Sequence, residues 1–176
     1  GRVEPGDAVI LSGDIGRHGI AVLAVRENLG FETEIVSDCA PLIAPVRALL
    51  GEGLDLHCLR DLTRGGLATS LIEIASTAGM LVELDDAAIP VSDPVRGACE
   101  LLGLDPLYVA NEGRFVAFVP GDEAERAVAV LRRYQPDAAI IGRVTGPAER
   151  GEVVISTIAN RRPLDMLHGA QLPRIC

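Results

Sequence analysis

Short apolar runs alternate along this chain with longer segments in which apolar residues recur at helical spacing. The runs AVILSG (8–13), MLVEL (80–84) and RFVAFV (114–119) predict buried strands. In GGLATSLIEIASTAG (65–79), apolar residues recur at i, i+4, i+7, i+8 and i+11, which predicts an amphipathic helix packed on a core. Because strands and helices mix without strict alternation, we predict an α+β fold with helices layered on a mixed β-sheet.

The remaining segments complete the predicted order β-α-α-β-α-β-α-β-α-β-β. Further helices are expected at 18–30, closed by Gly30, at 40–53 after Pro41, at 92–103 with Ser92 as its cap, and at 122–134. Further strands are expected at 55–61, 138–145 and 152–157, the last two joined by a turn that contains Gly and Pro.

The domain organisation is predicted from the absence of any linker or internal repeat. The 176 residues suffice for one sizeable core, so we expect one domain over 1–160. The segment 161–176 lacks a sustained period, and its prolines Pro163 and Pro173 favour an extended tail that reaches away from the core.

Charge and composition exclude several classes of function. The net charge is −9 and all 16 basic residues are Arg without any basic block, so nucleic acid and anionic membranes are not expected partners. No apolar run reaches the roughly 20 residues that span a bilayer. No signal peptide is apparent, so a reducing cytoplasm is the expected compartment.

The four cysteines follow no metal or redox spacing. Cys58 and Cys99 lie among apolar residues and are predicted to be small buried hydrophobes. Cys39, in SDCAPL, is a candidate for a site, although packing is the favoured interpretation. Cys176 ends the chain behind LPRI, where proline stiffness and Ile175 suit a thiol that another site must receive; a disordered end is the alternative.

The stretch RDLTRGGLA (60–68) carries the first candidate site. It lies between a predicted strand and a helix that begins with two glycines, and such a helix start attracts phosphate. Arg64 adds a forked donor for phosphate oxygens. The alternative is a capped turn, in which Asp61 or Thr63 caps the helix and Gly65 and Gly66 allow a tight bend; the spacing leaves both open.

Two further stretches are candidates of the same kind. SGDIGRHGIA (12–21) is a second glycine turn after a strand and places His18 at a helix start, so the two glycine turns could line one cleft. In YVANEGRFV (108–116), the residues Asn111 and Glu112 precede a strand. Turn chemistry is the favoured interpretation, and a general base at Glu112 is the alternative.

Taken together, these stretches resemble the HypE family of hydrogenase maturation proteins, within the aminoimidazole ribonucleotide synthetase superfamily. The likeness is to the C-terminal half of that family and covers essentially the whole chain. DLTRGG and NEG are shared widely among such ATP-using enzymes, whereas the ending LPRIC is specific. The matching stretches are GDAVILSGDIGRHGIAVLAVRE (6–27), VSDCAPL (36–42), RDLTRGGLA (60–68), RGACELLGLDPLYVANEGR (96–114) and PRIC (173–176).

The resemblance implies a role in [NiFe]-hydrogenase maturation. In that family HypF transfers a carbamoyl group to the C-terminal cysteine, ATP-dependent dehydration converts the S-carboxamide to an S-cyanate, and a HypC–HypD complex accepts the cyanide. By this resemblance Cys176 carries the substrate and Glu112 is the base. The match also implies nucleotide-side roles for Asp61, Thr63, Arg64, Gly65 and Gly66, and makes His18, Asp38 and Asn111 further candidates.

The resemblance also implies that part of the family's chain is missing here. ATP and Mg²⁺ would be bound mostly by an N-terminal half, which also forms the homodimer interface, and no metal site is assigned to this chain. The start at Gly1 without Met therefore suggests a fragment with little or no ATPase activity of its own. Arg17 stands where the family usually has an acid before the His, which weakens a metal or base role for His18.

Two other functions stay open at this point. The chain could be half of a related synthetase of the selenophosphate or purine-pathway type, although such enzymes need no terminal cysteine. It could also be a non-catalytic carrier or docking module whose modified tail is presented to partners.

Overall fold

A computed structural model describes residues 2–31 and 33–166. In these residues the chain forms a seven-stranded sheet in the order β2-β4-β1-β5-β3-β6-β7. All neighbouring strands are antiparallel except β3 and β6, which are parallel, so the predicted mixed sheet is confirmed. The strands are β1 (Asp7–Leu11), β2 (Cys58–Asp61), β3 (Met80–Asp85), β4 (Phe115–Pro120), β5 (Ala139–Pro147), β6 (Glu152–Ser156) and β7 (Arg161–Pro163).

Five α-helices are layered on this sheet within the described residues. Their order along the chain is the predicted one, with short 3-10 turns at 86–88, 106–108 and 121–123. The helices are α1 (Arg17–Arg26), α2 (Ile43–Gly51), α3 (Gly66–Ala78), α4 (Asp93–Leu102) and α5 (Ala124–Leu131).

The two faces of the sheet carry separate cores. On one face α3 buries Leu67, Leu71 and Ala75 completely against residues such as Phe118. On the other face α2 and α5 cover the sheet, and α1 packs with α4 in a third cluster. Burying each leucine stabilises the fold by roughly 1.5–3 kcal/mol, so the apolar stripe predicted for 65–79 has its expected role.

Strand β1 shows why its run is continuously apolar rather than alternating. Val9 and Leu11 belong to the core under α3, whereas Ala8 and Ile10 belong to the core under α5. Because successive side chains of a strand point to opposite faces, a strand covered on both sides needs apolar residues at every position.

Several predicted element ends differ from the observed ones. Helix α1 ends at Arg26 rather than at Gly30, because Asn28 takes a left-handed backbone with φ 52°. The Leu29 N–H then donates to the Ala24 carbonyl and closes the helix. Strand β2 is shorter than the predicted 55–61, and Ser92 lies at the N-cap of α4 without a side-chain capping bond.

The last two predicted strands, β5 and β6, do not pair with each other. A turn connects β5 to β6, but each of the two strands pairs with β3, which lies between them. Gly151 in the connection has φ 66°, and a Cβ there would lie 2.1 Å from the Ala75 carbonyl oxygen. The connection therefore packs directly on the end of α3, which needs glycine at this point.

The first residues of the segment assigned to the tail belong to the sheet. Strand β7 pairs with β6, Leu164 is buried in the core, and the Tyr108 hydroxyl donates to the Asp165 carbonyl at 2.9 Å. Residues 167–176, including Cys176, lie outside the described residues, so the division at 160 stays a prediction. In the described part of the chain, no helix has the length and apolar character needed to cross a membrane.

Candidate functional site

Three of the predicted stretches meet at one end of the sheet. Strand β4 lies between β1 and β2 and is antiparallel to both, so the ends of β1 and β2 flank the start of β4. The Ser12 N–H donates to the Phe115 carbonyl, and the Leu62 N–H donates to the Arg114 carbonyl. The loops 12–16, 62–65 and 109–114 therefore lie side by side, so the two glycine turns are neighbours; that they line one cleft stays a prediction.

Asn111 ties these three loops together. Its Oδ1 accepts a hydrogen bond from the Gly16 N–H at 2.8 Å, and its Nδ2 donates to the carbonyls of Leu62 and Val109. The side chain is completely buried, and a buried amide is stabilised when its donors and acceptor are all paired. Asn111 thus holds the loops in place, and its amide is occupied by backbone groups.

Arg114 and Asp14 form a buried ion pair that the sequence analysis missed. Arg114 Nη2 lies 2.6 Å from Asp14 Oδ1, Nε donates to the Asp14 carbonyl, and Nη1 donates to the Gly113 carbonyl. Arg17 approaches the other carboxylate oxygen, with Nε 2.8 Å from Oδ2. An arginine directly before an apolar strand was the available signal for this pair. Arg17, the departure from the family pattern, is balanced by Asp14.

The segment 36–40 lies against the loop that carries Glu112. A Cβ on Gly113 would lie 2.0 Å from the Asp38 carbonyl oxygen and 2.9 Å from the Ala40 nitrogen, so glycine is needed for this approach. Asp38 Oδ1 accepts a hydrogen bond from the Glu112 N–H at 3.3 Å. This contact therefore brings three candidate residues close together: Asp38, Asn111 and Glu112.

His18 belongs to the same region through Ser37. His18 Nδ1 lies 2.9 Å from Ser37 Oγ, which also accepts a hydrogen bond from the Cys39 N–H. The imidazole is half-buried at the start of α1. Through this contact His18 helps to hold segment 36–40 against α1.

The RDLTRGG stretch forms the start of α3. Gly65 and Gly66 have φ 70° and 62°, and a Cβ on Gly66 would lie 2.5 Å from the Val109 carbonyl oxygen. No side chain caps α3, so the predicted cap by Asp61 or Thr63 is wrong, whereas the tight bend predicted at Gly65 and Gly66 is confirmed. Asp61 and Arg64 are exposed at this helix start, and Thr63 is half-buried.

The described cysteines differ from one another in environment. Cys99 is buried, and burial together with the Asp105 charge raises the pKa of its thiol to about 11. Burial also raises the pKa of the half-buried Cys58 thiol, so neither thiol is activated as a nucleophile. Cys39 is exposed, so the favoured packing interpretation is wrong for it: segment 36–40 turns its backbone, rather than this side chain, toward the core.

The charged groups of this region do not form a metal site. Among residues 2–31 and 33–166, no three His, Cys, Asp or Glu side chains come close enough together to hold a metal ion. The carboxylate of Asp14 is instead neutralised by two arginines.

Comparison with known proteins defines the family. Residues 4–155 match the family described as AIR synthase related protein, C-terminal domain. The chain belongs to this family. Two similar proteins carry the name carbamoyl dehydratase HypE: that of Azotobacter vinelandii is 47% identical over 99% of the chain, and that of Cupriavidus necator is 48% identical over 98%. The chain spans about half of each, 52% and 50% respectively.

Solved structures of HypE have the same fold. One crystal structure of the hydrogenase maturation protein HypE superposes with a TM-score of 0.94 at 46% identity, over 99% of this chain and 57% of that one. HypE in complex with ATP gives a TM-score of 0.94 at 45% identity, over 99% and 54%. HypE in a HypE–HypF complex gives 0.88 at 41% identity, over 93% and 54%. The resemblance to the C-terminal half of HypE is thereby confirmed.

Proposed function

We propose that this chain is the C-terminal half of a carbamoyl dehydratase that acts in [NiFe]-hydrogenase maturation. The reaction is the ATP-dependent dehydration of an S-carboxamide on Cys176 to an S-cyanate, the cyanide donor for the active-site iron. The observation that carries this proposal is the match of almost the entire chain, at 46% identity and a TM-score of 0.94, to a HypE structure.

The three loops 12–16, 62–65 and 109–114, with segment 36–40 against them, form what we call the sheet end. Its residues suit the charge changes of such a reaction. The start of α3 lacks a side-chain cap and exposes Arg64 beside two glycines, an arrangement in which backbone N–H groups and a guanidinium attract phosphate oxygens. Asp61, Thr63, Arg64, Gly65 and Gly66 are the proposed phosphate-side residues. When bound, ATP supplies the phosphoryl group that makes the carboxamide oxygen a leaving group.

Glu112 is the proposed general base. The carboxamide nitrogen must lose both of its protons to become a nitrile. A carboxylate within hydrogen-bond reach can accept one, and the phosphate released from the carboxamide oxygen can take the other. The backbone of Glu112 is fixed by its neighbours Asn111 and Gly113 and by the Asp38 carboxylate, so its side chain starts from a defined position. Cys176 brings the carboxamide to this base.

The described residues contain no binding site for the Mg²⁺ that accompanies ATP. Since they contain no metal-binding cluster, Mg²⁺ is assigned to the half of the protein that this chain does not span, and no step here depends on it. The proposed partners are HypF as carbamoyl donor and a HypC–HypD complex as cyanide acceptor, with the whole protein a homodimer in the cytoplasm. A solved HypE–HypF complex supports the first of these.

Mass spectrometry of the C-terminal peptide tests the proposal. The whole protein is co-expressed with HypF, and we expect the peptide to gain the mass of one carbamoyl group on Cys176. Addition of ATP should then remove the mass of one water from the same peptide.

Two cysteine variants sharpen this experiment. Cys176→Ala should abolish the modification, whereas Cys39→Ala, at an exposed cysteine, should leave it intact. If ATP is consumed while the C-terminal peptide stays unmodified, the dehydration proposal is wrong and a different substrate must be sought.

A further inference from the structure

Among the described residues, Asp38 is the buried carboxylate with an oxygen that has no hydrogen-bond partner. Its Oδ1 accepts the Glu112 N–H, but its Oδ2 has no hydrogen-bond partner among the described residues and is shielded from solvent. The residue as a whole is 4% exposed. A buried carboxylate oxygen without a donor is costly to the fold, which directs attention to a donor that arrives with a ligand.

The position of Asp38 is fixed from several directions. The Val36 carbonyl accepts from Arg17, Ser37 Oγ contacts His18, and the backbone of 38–40 packs on Gly113 without room for a Cβ. These contacts hold the backbone on both sides of Asp38, and turning its carboxylate outward to water would break the bond from the Glu112 N–H. A group held in this way is preorganised for a ligand.

No cation of this region neutralises Asp38 within the described residues. The two arginines that touch the neighbouring backbone, Arg17 and Arg114, both direct their charge to Asp14. A metal ion does not fit either, because no cluster of three ligating side chains is present in the described residues. A neutral N–H or O–H donor on a ligand would complete the hydrogen bonding of Oδ2 without the need for a cation.

We propose that Asp38 binds the substrate, with Oδ2 accepting a hydrogen bond from the N–H₂ of the carboxamide presented beside Glu112. This inference rests on the proposed function and deepens it by assigning a ligand to a second carboxylate of the site. A primary carboxamide offers two N–H donors on one nitrogen. Glu112 receives one of them and Asp38 the other, which fixes the plane of the carboxamide before the chemistry begins.

The substitution Asp38→Asn separates this role from a purely structural one. The asparagine Oδ1 still accepts a hydrogen bond from the Glu112 N–H. An NH₂ group replaces Oδ2, however, so two hydrogen-bond donors now face each other and no bond to the carboxamide forms. We expect the carbamoylated protein to accumulate and its ATP-dependent loss of water to slow by at least about tenfold, the effect of losing one hydrogen bond to a charged acceptor. Asp122→Asn, at an exposed acid beyond the far end of β4, should react like the parent protein.

A second measurement does not depend on turnover. In protein carbamoylated with ¹⁵N-labelled carboxamide and without ATP, the two N–H protons should have separate NMR shifts, one of them moved downfield by the carboxylate. Asp38→Asn should remove that downfield shift, whereas Asp122→Asn should keep it. Thermal unfolding of each variant checks that it is folded.

The outcomes are distinguishable. If the parent protein never loses water, the proposed function is wrong, and the inference that rests on it is overturned with it. If the parent reacts and Asp38→Asn reacts equally fast with an unchanged N–H shift, while Asp38→Ala is impaired, Asp38 only supports the Glu112 backbone and the inference is overturned.

Discussion

At the scale of single residues, buried polar groups decide the shape of the sheet end. Asn111, Arg114 and Asp14 are each almost completely buried. Asn111 and Arg114 bond to backbone groups of other loops, and the Asp14 carboxylate pairs with Arg114. Apolar packing alone is non-directional, so these bonds are what set the positions of the loops that carry Asp38 and Glu112.

Removal of Arg114 should show how much the buried pair contributes. Arg114→Met leaves Asp14 with Arg17 as its remaining ion-pair partner and leaves two carbonyls without their donor, so we expect a loss of about 3–5 kcal/mol in the free energy of unfolding. Urea denaturation measures it. Arg126→Met is the control, because Arg126 forms a half-exposed pair with Glu123 and its loss should cost less than about 1 kcal/mol. Equal losses in the two variants would contradict this account.

His57 should make stability depend on pH. Burial by itself would lower the pKa of His57, but the carboxylate of Asp7, with Oδ2 2.8 Å from Nδ1, outweighs burial and, together with Asp55, raises the pKa above 6.5. Since the folded state binds the proton more tightly, the pair stabilises the fold fully below pH 6.5 and loses this effect as the pH rises through the raised pKa.

Comparison with His57→Gln tests the sign. The difference in unfolding free energy between the parent protein and the variant should shrink as the pH rises from about 5.5 to 9, a range that brackets an ordinary histidine pKa. A ¹H–¹⁵N NMR titration of the imidazole should give a midpoint above that of an unfolded peptide. A difference that stays constant with pH would show that the Asp7 charge does not act on His57.

At the scale of elements, helix α3 links the core to the candidate site. Its apolar face packs on the sheet, and its start lies against the loop 107–109, where Gly66 makes the contact. The periodicity of 65–79 predicts the helix and its buried face. The close approach of Gly66 to another loop depends on sequence-distant backbone and had no signal in the sequence beyond the paired glycines.

Two glycine substitutions should act in opposite directions. Gly66→Ala places a side chain on a left-handed backbone, which alone costs about 1–3 kcal/mol, and adds a clash with the Val109 and Leu107 carbonyls. Gly97→Ala lies within α4 with open space around the new Cβ, so it should stabilise the protein by about 0.5–1 kcal/mol. Thermal unfolding of both variants measures whether each substitution raises or lowers stability. If both variants are less stable than the parent protein, the predicted difference between the two glycine positions is wrong.

At the scale of the whole molecule, the sheet end is built from loops far apart in the chain. Segment 36–40 and loops 12–16, 62–65 and 109–114 converge because β4 inserts between β1 and β2. The chain nevertheless spans about half of its curated relatives, and its described residues contain no metal cluster. Under the proposed function, part of the charge neutralisation that phosphoryl transfer requires would come from the half of the protein that this chain does not span.

Activity should consequently require the other half of the protein. We expect the 176-residue chain alone to release little or no ADP from ATP, and co-expression with the N-terminal half to restore turnover. Coupled detection of ADP on both preparations is the measurement. Robust ATP hydrolysis by this chain alone would contradict the division of the site between two halves.

The sequence by itself determined the types and order of the helices and strands up to β6, the α+β class and the family, but not β7. The apolar period and the glycines are local signals, and each acts within one element or turn, so they can be read without the fold. The element ends were less well predicted, as at Gly30, because a single left-handed residue such as Asn28 can end a helix early.

Only the tertiary structure decided which polar residues lie close together in space. The pair Asp14–Arg114 joins residues 100 positions apart, and the contact of Asp38 with Glu112 spans 74. It also placed β3 between β5 and β6 and exposed Cys39. Such contacts follow from strand pairing across the sheet, whose partners a local pattern does not specify.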